Sequence, residues 1–412
     1  ALSGAIRYSV VGSGPEDVAL IQEIFSTTFR EIYPDLEVSA ESAPSGEGDP
    51  LLAQMISGDA PDVFDTWTSR AAPYIDAGQV LDLKPYFDRD YSGGQADDIF
   101  PWVMEAQSLS SGLQWGMPRY VNLTVLIYNK DAFDAAGIVY PDDTWNQDTY
   151  AAALLGLTQK SGDTTRVYGG HIPVFAYSRF ANKVEAWGGT VVDPADNTHA
   201  TFDSAEGQAA AEWHRVRIID EKSVADLNFL NTGGGENVVG SRANFVANRI
   251  ATMEEGYYPY ALADAVADSF RFGVAAPPSG PGGRPVIGSA DGVTIWTGSL
   301  NVEAAWEVAK FISGVEYQRA FSAATGLIPV RRSLVAGFGE ALVASRANLA
   351  DTNIEVGLQL LEENPHEPPQ FAQPAEAEDQ INAGLERIFV VGDTPVTFLT
   401  QLAAEVTEAQ RS

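Results

Sequence analysis

The chain has 412 residues, 45% hydrophobic, 10% aromatic and 20% charged; that suits two globular domains or one large α/β unit and excludes a mainly disordered or fibrous chain. It carries 25 basic residues against 56 acidic ones, a net charge of −31, which repels nucleic-acid backbones and anionic lipid headgroups. There is no cysteine, so disulfides, thiolate nucleophiles, zinc–thiolate sites and iron–sulfur clusters are excluded together.

The opening reads as an α/β unit. Ile6 to Val11 is a short β-prone run ended by Gly12-Ser13-Gly14-Pro15, a turn signal. Val18, Ile21, Phe25, Phe29 and Ile32 then recur at helical spacing, with Glu16 and Asp17 at the start and Pro34 as the stop. Leu36 to Ala40 alternates as a second strand, and a helix through Leu51, Leu52, Met55 and Ile56 stops at Gly58. Pro61 to Asp65 is a third strand, opening into Thr66-Trp67-Thr68. Strand, helix, strand, helix, strand at this pace predicts a parallel sheet covered on both faces.

A short helix over Ala71 to Ala77 follows, then a polar loop over Tyr91 to Asp98 and a central strand over Val121 to Tyr128, with a domain boundary near 113–118. Helices are predicted over Lys130 to Ala136, Asp148 to Leu157, Phe180 to Trp187, Ala205 to Ile219 and Val302 to Ile312. Gly169 to Val174 and Thr190 to Val192 read as strands, and Phe245 to Met253 as a short helix or a strand pair. Gly233-Gly234-Gly235 has no lysine behind it and so makes no phosphate-binding loop. The tail reads as helices over roughly 333–363, 375–390 and 395–410. No apolar run approaches the length that spans a bilayer. The start lacks a basic segment followed by an apolar one, which fits either a protein never secreted or a mature form whose signal has been removed. The four histidines (His171, His199, His214 and His366) show no paired spacing and read as ordinary residues.

Gly116-Met117-Pro118, Leu126-Ile127-Tyr128-Asn129-Lys130-Asp131-Ala132-Phe133, Ala136-Gly137-Ile138 and Thr144-Trp145 together resemble the central signature of extracellular solute-binding proteins of carbohydrate ABC importers, relatives of the maltose- and glycerol-3-phosphate-binding proteins. Pro34-Asp35-Leu36-Glu37-Val38, Gly58 through Val63, Trp187-Gly188-Gly189, Glu307 to Ile312 and Gly326 to Arg331 agree in order and position. The resemblance implies an α/β, two-lobed periplasmic-binding-protein-like fold of class II, with three hinge crossings and a ligand cleft between the lobes. The N-terminal lobe would take 1–113 plus 276–324 and the C-terminal lobe 118–270 plus 330–412, with hinges near 113–118, 270–276 and 324–330. It implies a monomer in the periplasm or on the outer face of the cell membrane, with a small-molecule ligand, a saccharide first, and ABC permease subunits as partners. No catalysis, cofactor or metal is expected.

A sugar wants flat apolar rings against its C–H faces, and carboxylates and amides for its hydroxyls. Asp65 and Trp67 lie at a predicted strand end, where a ligand residue belongs; helix capping and packing under the loop are their structural alternatives. Tyr257 and Tyr258 resemble the position where relatives place an aromatic ring against the sugar, with hinge packing as the other reading. Family position adds Ser13 and Gly14 after the first strand, Glu41 after the second, Arg119, Tyr120 and Asn122 past the first hinge, Ser289 and Asp291 before Trp296, and Arg331 past the third hinge. Arg119 and Arg331 would either grip an anionic solute or clamp carboxylates of their own chain. Trp187, Trp213, Trp296 and Trp306 read as packing residues.

An enzyme is the rival of another class, but GxSxG, GxGxxG and GxxxxGK[ST] are absent. A glycerophosphodiester or uronate-containing saccharide is the rival within the family. The dispersed acidity suits solubility in strong salt, and an acidic cytosolic protein would look the same.

Overall fold

The computed structural model describes residues 2–11, 15–44, 49–91, 94, 96–109, 111–231, 237–266, 269–363 and 365–411. Ser13, Gly14 and Gly233 to Gly235 lie outside the described residues. Seven strands matter for the site: β1 Gly4–Val10, β2 Leu36–Ser42, β3 Val63–Thr66, β4 Met117–Asn129, β5 Thr252–Gly256, β6 Phe272–Ala275 and β7 Gly288–Ile295. The chain divides into two compact units, Ala1–Asn122 with Gly288–Leu342, and Leu123–Ile287 with Val343–Ser412. It passes between them after Asn122, Ile287 and Leu342.

In the first unit β1 runs parallel to β2 and to β3, with Tyr8 beside Val63. β7 is antiparallel to β3, with Gly292 beside Thr66, and lies between β3 and β4. Helices cover both faces, as a buried parallel sheet requires. One face packs Tyr8, Val63 and Val293 against Phe25, Phe29, Trp306, Phe311 and Tyr317. The other packs Phe64 and Trp296 against Leu51, Met55, Tyr74 and Trp115.

Local chemistry explains most element ends. The helix Pro50–Ser57 starts at Asp49, whose side chain accepts from the Leu52 amide at 3.0 Å, and stops at Gly58 in the left-handed region at φ 84°. The first helix, Pro15–Ile24, continues through a π-helical turn, Phe25–Phe29, into Arg30–Ile32. A π turn inserts one residue and rotates the apolar stripe, so Phe25 and Phe29 are buried while Ile32 is 51% exposed. The simple helical spacing that would place Ile32 inside is thereby corrected.

In the second unit β4 continues between β5, which pairs Thr124 with Gly256, and β6, which pairs Asn129 with Phe272, both antiparallel. Residues 169–174, expected as a strand, make only isolated parallel bridges, Gly170 with Val224 and His171 with Met253. The core lies around Phe133, Tyr150, Phe180, Phe202, Leu385 and Leu399. The ambiguous 245–253 segment resolves into the helix Asn237–Val246 and strand β5. Residues 333–363 are broken into Arg332–Val335, Phe338–Ser345, a 3₁₀ turn at Ala347–Leu349 and Glu355–Leu360. Among the described residues no helix is long and apolar enough to cross a membrane.

Candidate functional site

The carboxyl ends of β1, β2 and β3 and the start of the antiparallel β7 meet at one end of the first unit's sheet, as the registers dictate. Loops and helix starts gather at such an end. There the structure assembles four of the expected residues. The hydroxyl of Tyr8 donates to Asp65 Oδ1 at 2.5 Å, the Val11 amide donates to Oδ2 at 3.2 Å, and Arg119 Nη1 lies 2.5 Å from Oδ2. Alongside, the Tyr120 hydroxyl donates to Asp291 Oδ2 at 2.5 Å.

Asp65 and Arg119 are buried together, and the guanidinium also lies over the rings of Phe321 and Tyr120, 4.8 and 5.6 Å from their centroids. Burial raises the Asp65 carboxyl above its ordinary value, against the pull of Arg119, the Tyr8 hydroxyl and the Val11 amide. Burial raises Asp291 as well, to about 6, with Tyr120 and Arg119 pulling down and Asp65 pushing up. Asp65 therefore ties β1, β3 and β4 together inside the unit. Asp291 is half-buried and joins the same network through Tyr120.

Pleating explains that division. Along β7, Gly288, Ala290 and Gly292 are buried while Ser289 and Asp291 are half-buried, since alternate side chains point to opposite faces. Gln107 Nε2 donates to the Ala290 carbonyl at 2.6 Å, and a Cβ at Gly292 would lie 1.9 Å from Gln107 Oε1. The small residues here thus serve close packing against Gln107, and Ser289 and Asp291 point to the opposite face. Trp67 follows β3 in extended backbone, φ −135° and ψ 169°. One step beyond the Thr66–Gly292 pair, the register sets Trp67 opposite Asp291 and on its face. The residue is 38% exposed, with the Arg70 guanidinium 5.2 Å from the ring centroid.

Two expected arginines are engaged internally. Arg119 grips Asp65, and Arg331 is buried, donating from Nε to the Ser313 carbonyl at 2.7 Å with Asp98 at 3.9 Å. Both clamp their own chain, the structural alternative that the acidic composition already left open. Glu41, at the end of β2, accepts from Arg7 at 2.9 Å. Asn122 is half-buried where β4 leaves the unit.

Around these lies a fastening that sequence reasoning missed. Gln318 is fully buried in the helix Val315–Thr325, itself unforeseen. Its Nε2 donates to the carbonyls of Arg119 at 2.6 Å and Ile312 at 2.8 Å, and its Oε1 accepts from the Val330 amide at 2.9 Å. Ser313 Oγ donates to the Pro118 carbonyl at 2.6 Å, and the Val121 amide donates to the Ile328 carbonyl at 3.0 Å. The segments 118–121 and 328–331 are thereby pinned to the helix Val315–Thr325 and to Ser313, which caps the preceding helix Val302–Ile312. A glutamine on the buried face of a Tyr317–Phe321 stripe was the available signal.

In the second unit the corresponding strand end brings Tyr258 beside Arg242, whose guanidinium lies 4.1 Å from the ring centroid. Glu255 is buried, accepting from Ser241 Oγ at 3.3 Å with Arg242 at 3.7 Å. Arg179 donates to the Thr124 hydroxyl. Tyr257 offers no free ring: it is buried, its hydroxyl donates to the Ile354 carbonyl at 2.9 Å, and its face covers Gly357. Tyr257 thus takes the packing reading, while Tyr258 is half-buried beside Arg242. Trp296 and Trp306 are buried, as packing residues should be. His171 and His214 are buried and held below the ordinary histidine range by desolvation, His171 to about 3, so both are neutral core residues.

The sequence matches the family described as bacterial extracellular solute-binding protein over residues 12–319, well over half of the chain. The chain belongs to that family. Among solved structures it is similar to an ABC substrate-binding protein of Listeria monocytogenes in complex with cycloalternan, at 20% identity, 99% of each chain covered and a TM-score of 0.84. Maltose-bound MalE3 of T. maritima follows at 20% identity, 98% and 99% coverage and a TM-score of 0.78. UgpB of Mycobacterium tuberculosis in complex with glycerophosphocholine matches at 20% identity, 99% and 98% coverage and a TM-score of 0.78. The fold is the periplasmic-binding-protein fold of class II, two lobes joined by crossover strands, as the resemblance implied.

Proposed function

We propose that this member of the solute-binding family captures a neutral saccharide outside the cytoplasm and delivers it to the permease subunits of an ABC importer. One observation carries the saccharide reading: an exposed indole, Trp67, stands in register with a half-buried carboxylate, Asp291, at the carboxyl end of the first unit's sheet. A ring for the C–H face and a carboxylate for hydroxyls are what a sugar requires. The arginines that an anionic solute would need at these positions, Arg119 and Arg331, are turned inward onto Asp65 and the Ser313 carbonyl. Two of the structural relatives are complexes with cycloalternan and maltose.

We read the crossings after Asn122, Ile287 and Leu342 as the hinge region, displaced from the positions near 113–118, 270–276 and 324–330 that the resemblance implied. The pinning of 118–121 and 328–331 by Gln318 and Ser313 supports that displacement. A phosphodiester solute is the second reading. Arg70, beside Trp67, contacts the Tyr74 hydroxyl at 3.3 Å and has no carboxylate within ion-pair distance among the described residues, and one relative holds glycerophosphocholine. A thermal-shift screen of maltose, cycloalternan, tagatose, glycerophosphocholine and a uronate-containing disaccharide separates the two, because a bound ligand raises the melting temperature by mass action. Stabilisation by neutral sugars supports the first reading, and stabilisation by glycerophosphocholine alone supports the second.

A further inference from the structure

We propose that Asp291 is the solute-hydroxyl acceptor of the first unit and that its protonation weakens capture, so that the protein holds solute at neutral pH and releases it in acid. The proposal rests on the saccharide reading of the Trp67 face.

The geometry comes first. Asp291 is the acidic member of the half-buried pair on β7, one strand away from Trp67 and in register with it. Its Oδ2 accepts from the Tyr120 hydroxyl, while Oδ1 has no hydrogen-bond donor among the described residues. One carboxylate oxygen is thus fixed by the fold and the other remains available beside an exposed indole. A carboxylate accepts from a hydroxyl in a charge-assisted bond about twice as strong as a neutral one. A carboxylic acid in the same place loses that advantage.

The groups around Asp291 set its titration. From β4 come Arg119 and Tyr120, and from β3 Asp65; Tyr8 on β1 and Tyr317 on the helix Val315–Thr325 act on Asp65 and Arg119 behind it. The guanidinium of Arg119 is bound to Asp65, so no cation sits directly on Asp291. Desolvation and the Asp65 charge then bring its carboxyl up to about 6. That falls inside the range through which the medium outside a cell can swing.

Linkage gives the size of the effect. A hydroxyl donated to the carboxylate favours its ionised form, so protons and solute compete. With the free group titrating near 6, affinity should be about tenfold weaker at about pH 5 than at about pH 7.5. The experiment is calorimetric titration of maltose, tagatose and cycloalternan into the whole protein at both values. The tightest binder should show the tenfold loss, and Asp291→Asn should bind more weakly at the higher pH with no further loss in acid. Tyr120→Phe removes the hydroxyl that favours the carboxylate, so the midpoint of the pH profile should move upward. Failure of all three sugars to bind removes the saccharide reading and the proposal with it. Binding that is equal at both pH values, an unchanged acid loss in D291N, or an unmoved midpoint in Y120F removes the proposal alone.

Discussion

Replacing Arg119 by methionine should destabilise the first unit in a pH-dependent way. The side chain is 5% exposed, its Nη1 lies 2.5 Å from Asp65 Oδ2, and Asp291 is the next carboxylate in the network. Methionine keeps much of the volume over the Phe321 ring but leaves Asp65 with Tyr8 and Val11 as its donors among the described residues. Breaking a buried pair by removing one partner costs about 3–5 kcal/mol. For a unit of this size that lowers the melting temperature by roughly 10 °C. The pH dependence separates this from lost packing. Without the cation both carboxyls rise further, and the fold then favours their protonated forms more than the unfolded chain does. The deficit is therefore full at alkaline pH and shrinks as pH falls and the carboxyls protonate. The double variant D65N/R119M should recover part of the loss, because no buried charge remains unpaired. Thermal and urea unfolding followed by circular dichroism at acid and alkaline pH provide the assay. An equal deficit at both pH values, or a double variant no more stable than R119M, would refute the argument.

If the exposed Trp67 ring stacks on the solute, as proposed, Trp67→Ala should weaken saccharide binding by roughly 1–3 kcal/mol while leaving the melting temperature nearly unchanged; calorimetry with an unfolding curve checks both. Gln318→Leu leaves the Arg119 carbonyl and the Val330 amide without their buried partner, costing about 1–3 kcal/mol, and amide exchange should quicken at Val330. Asp291→Asn should stabilise the ligand-free protein at neutral pH. The raised carboxyl favours folding in acid and loses that contribution as pH climbs through about 6, so the variant's advantage, about 1–3 kcal/mol, should appear above that pH and vanish below the ordinary aspartate range.

Much of the first unit was legible because its strands and helices are marked by turn residues and stops: Gly58, Pro34 and the Pro61–Asp65 run each fall where an element begins or ends. The short strands β6 and β7 were not. Phe272–Ala275 and Gly288–Ile295 carry glycine and alanine where close approach requires them, and small residues erase the alternation that announces a strand. Ile32 failed for a different reason, since a π turn shifts phase without leaving a sequence mark. At the site, residue types were legible while their employment was not. Asp65 and Arg119 were singled out separately, and only the fold shows that each is the other's partner. Tyr257 and Tyr258 are neighbours of the same type, yet one is buried against Gly357 and the other lies beside Arg242. Gln318 was missed because a buried glutamine has meaning only once its carbonyl and amide partners are in place.

The most direct test of the saccharide reading is the dissociation constant of the best-binding neutral sugar measured together with the melting temperature, from low salt to about 2 M potassium chloride. A surface of net charge −31 repels itself, and salt screens that repulsion, so the melting temperature should rise. An uncharged solute held by Trp67 and Asp291 brings no net charge to the site, so its dissociation constant should stay within about threefold across the series. Failure of every neutral sugar to bind, with glycerophosphocholine binding more weakly as salt rises, would contradict the saccharide assignment.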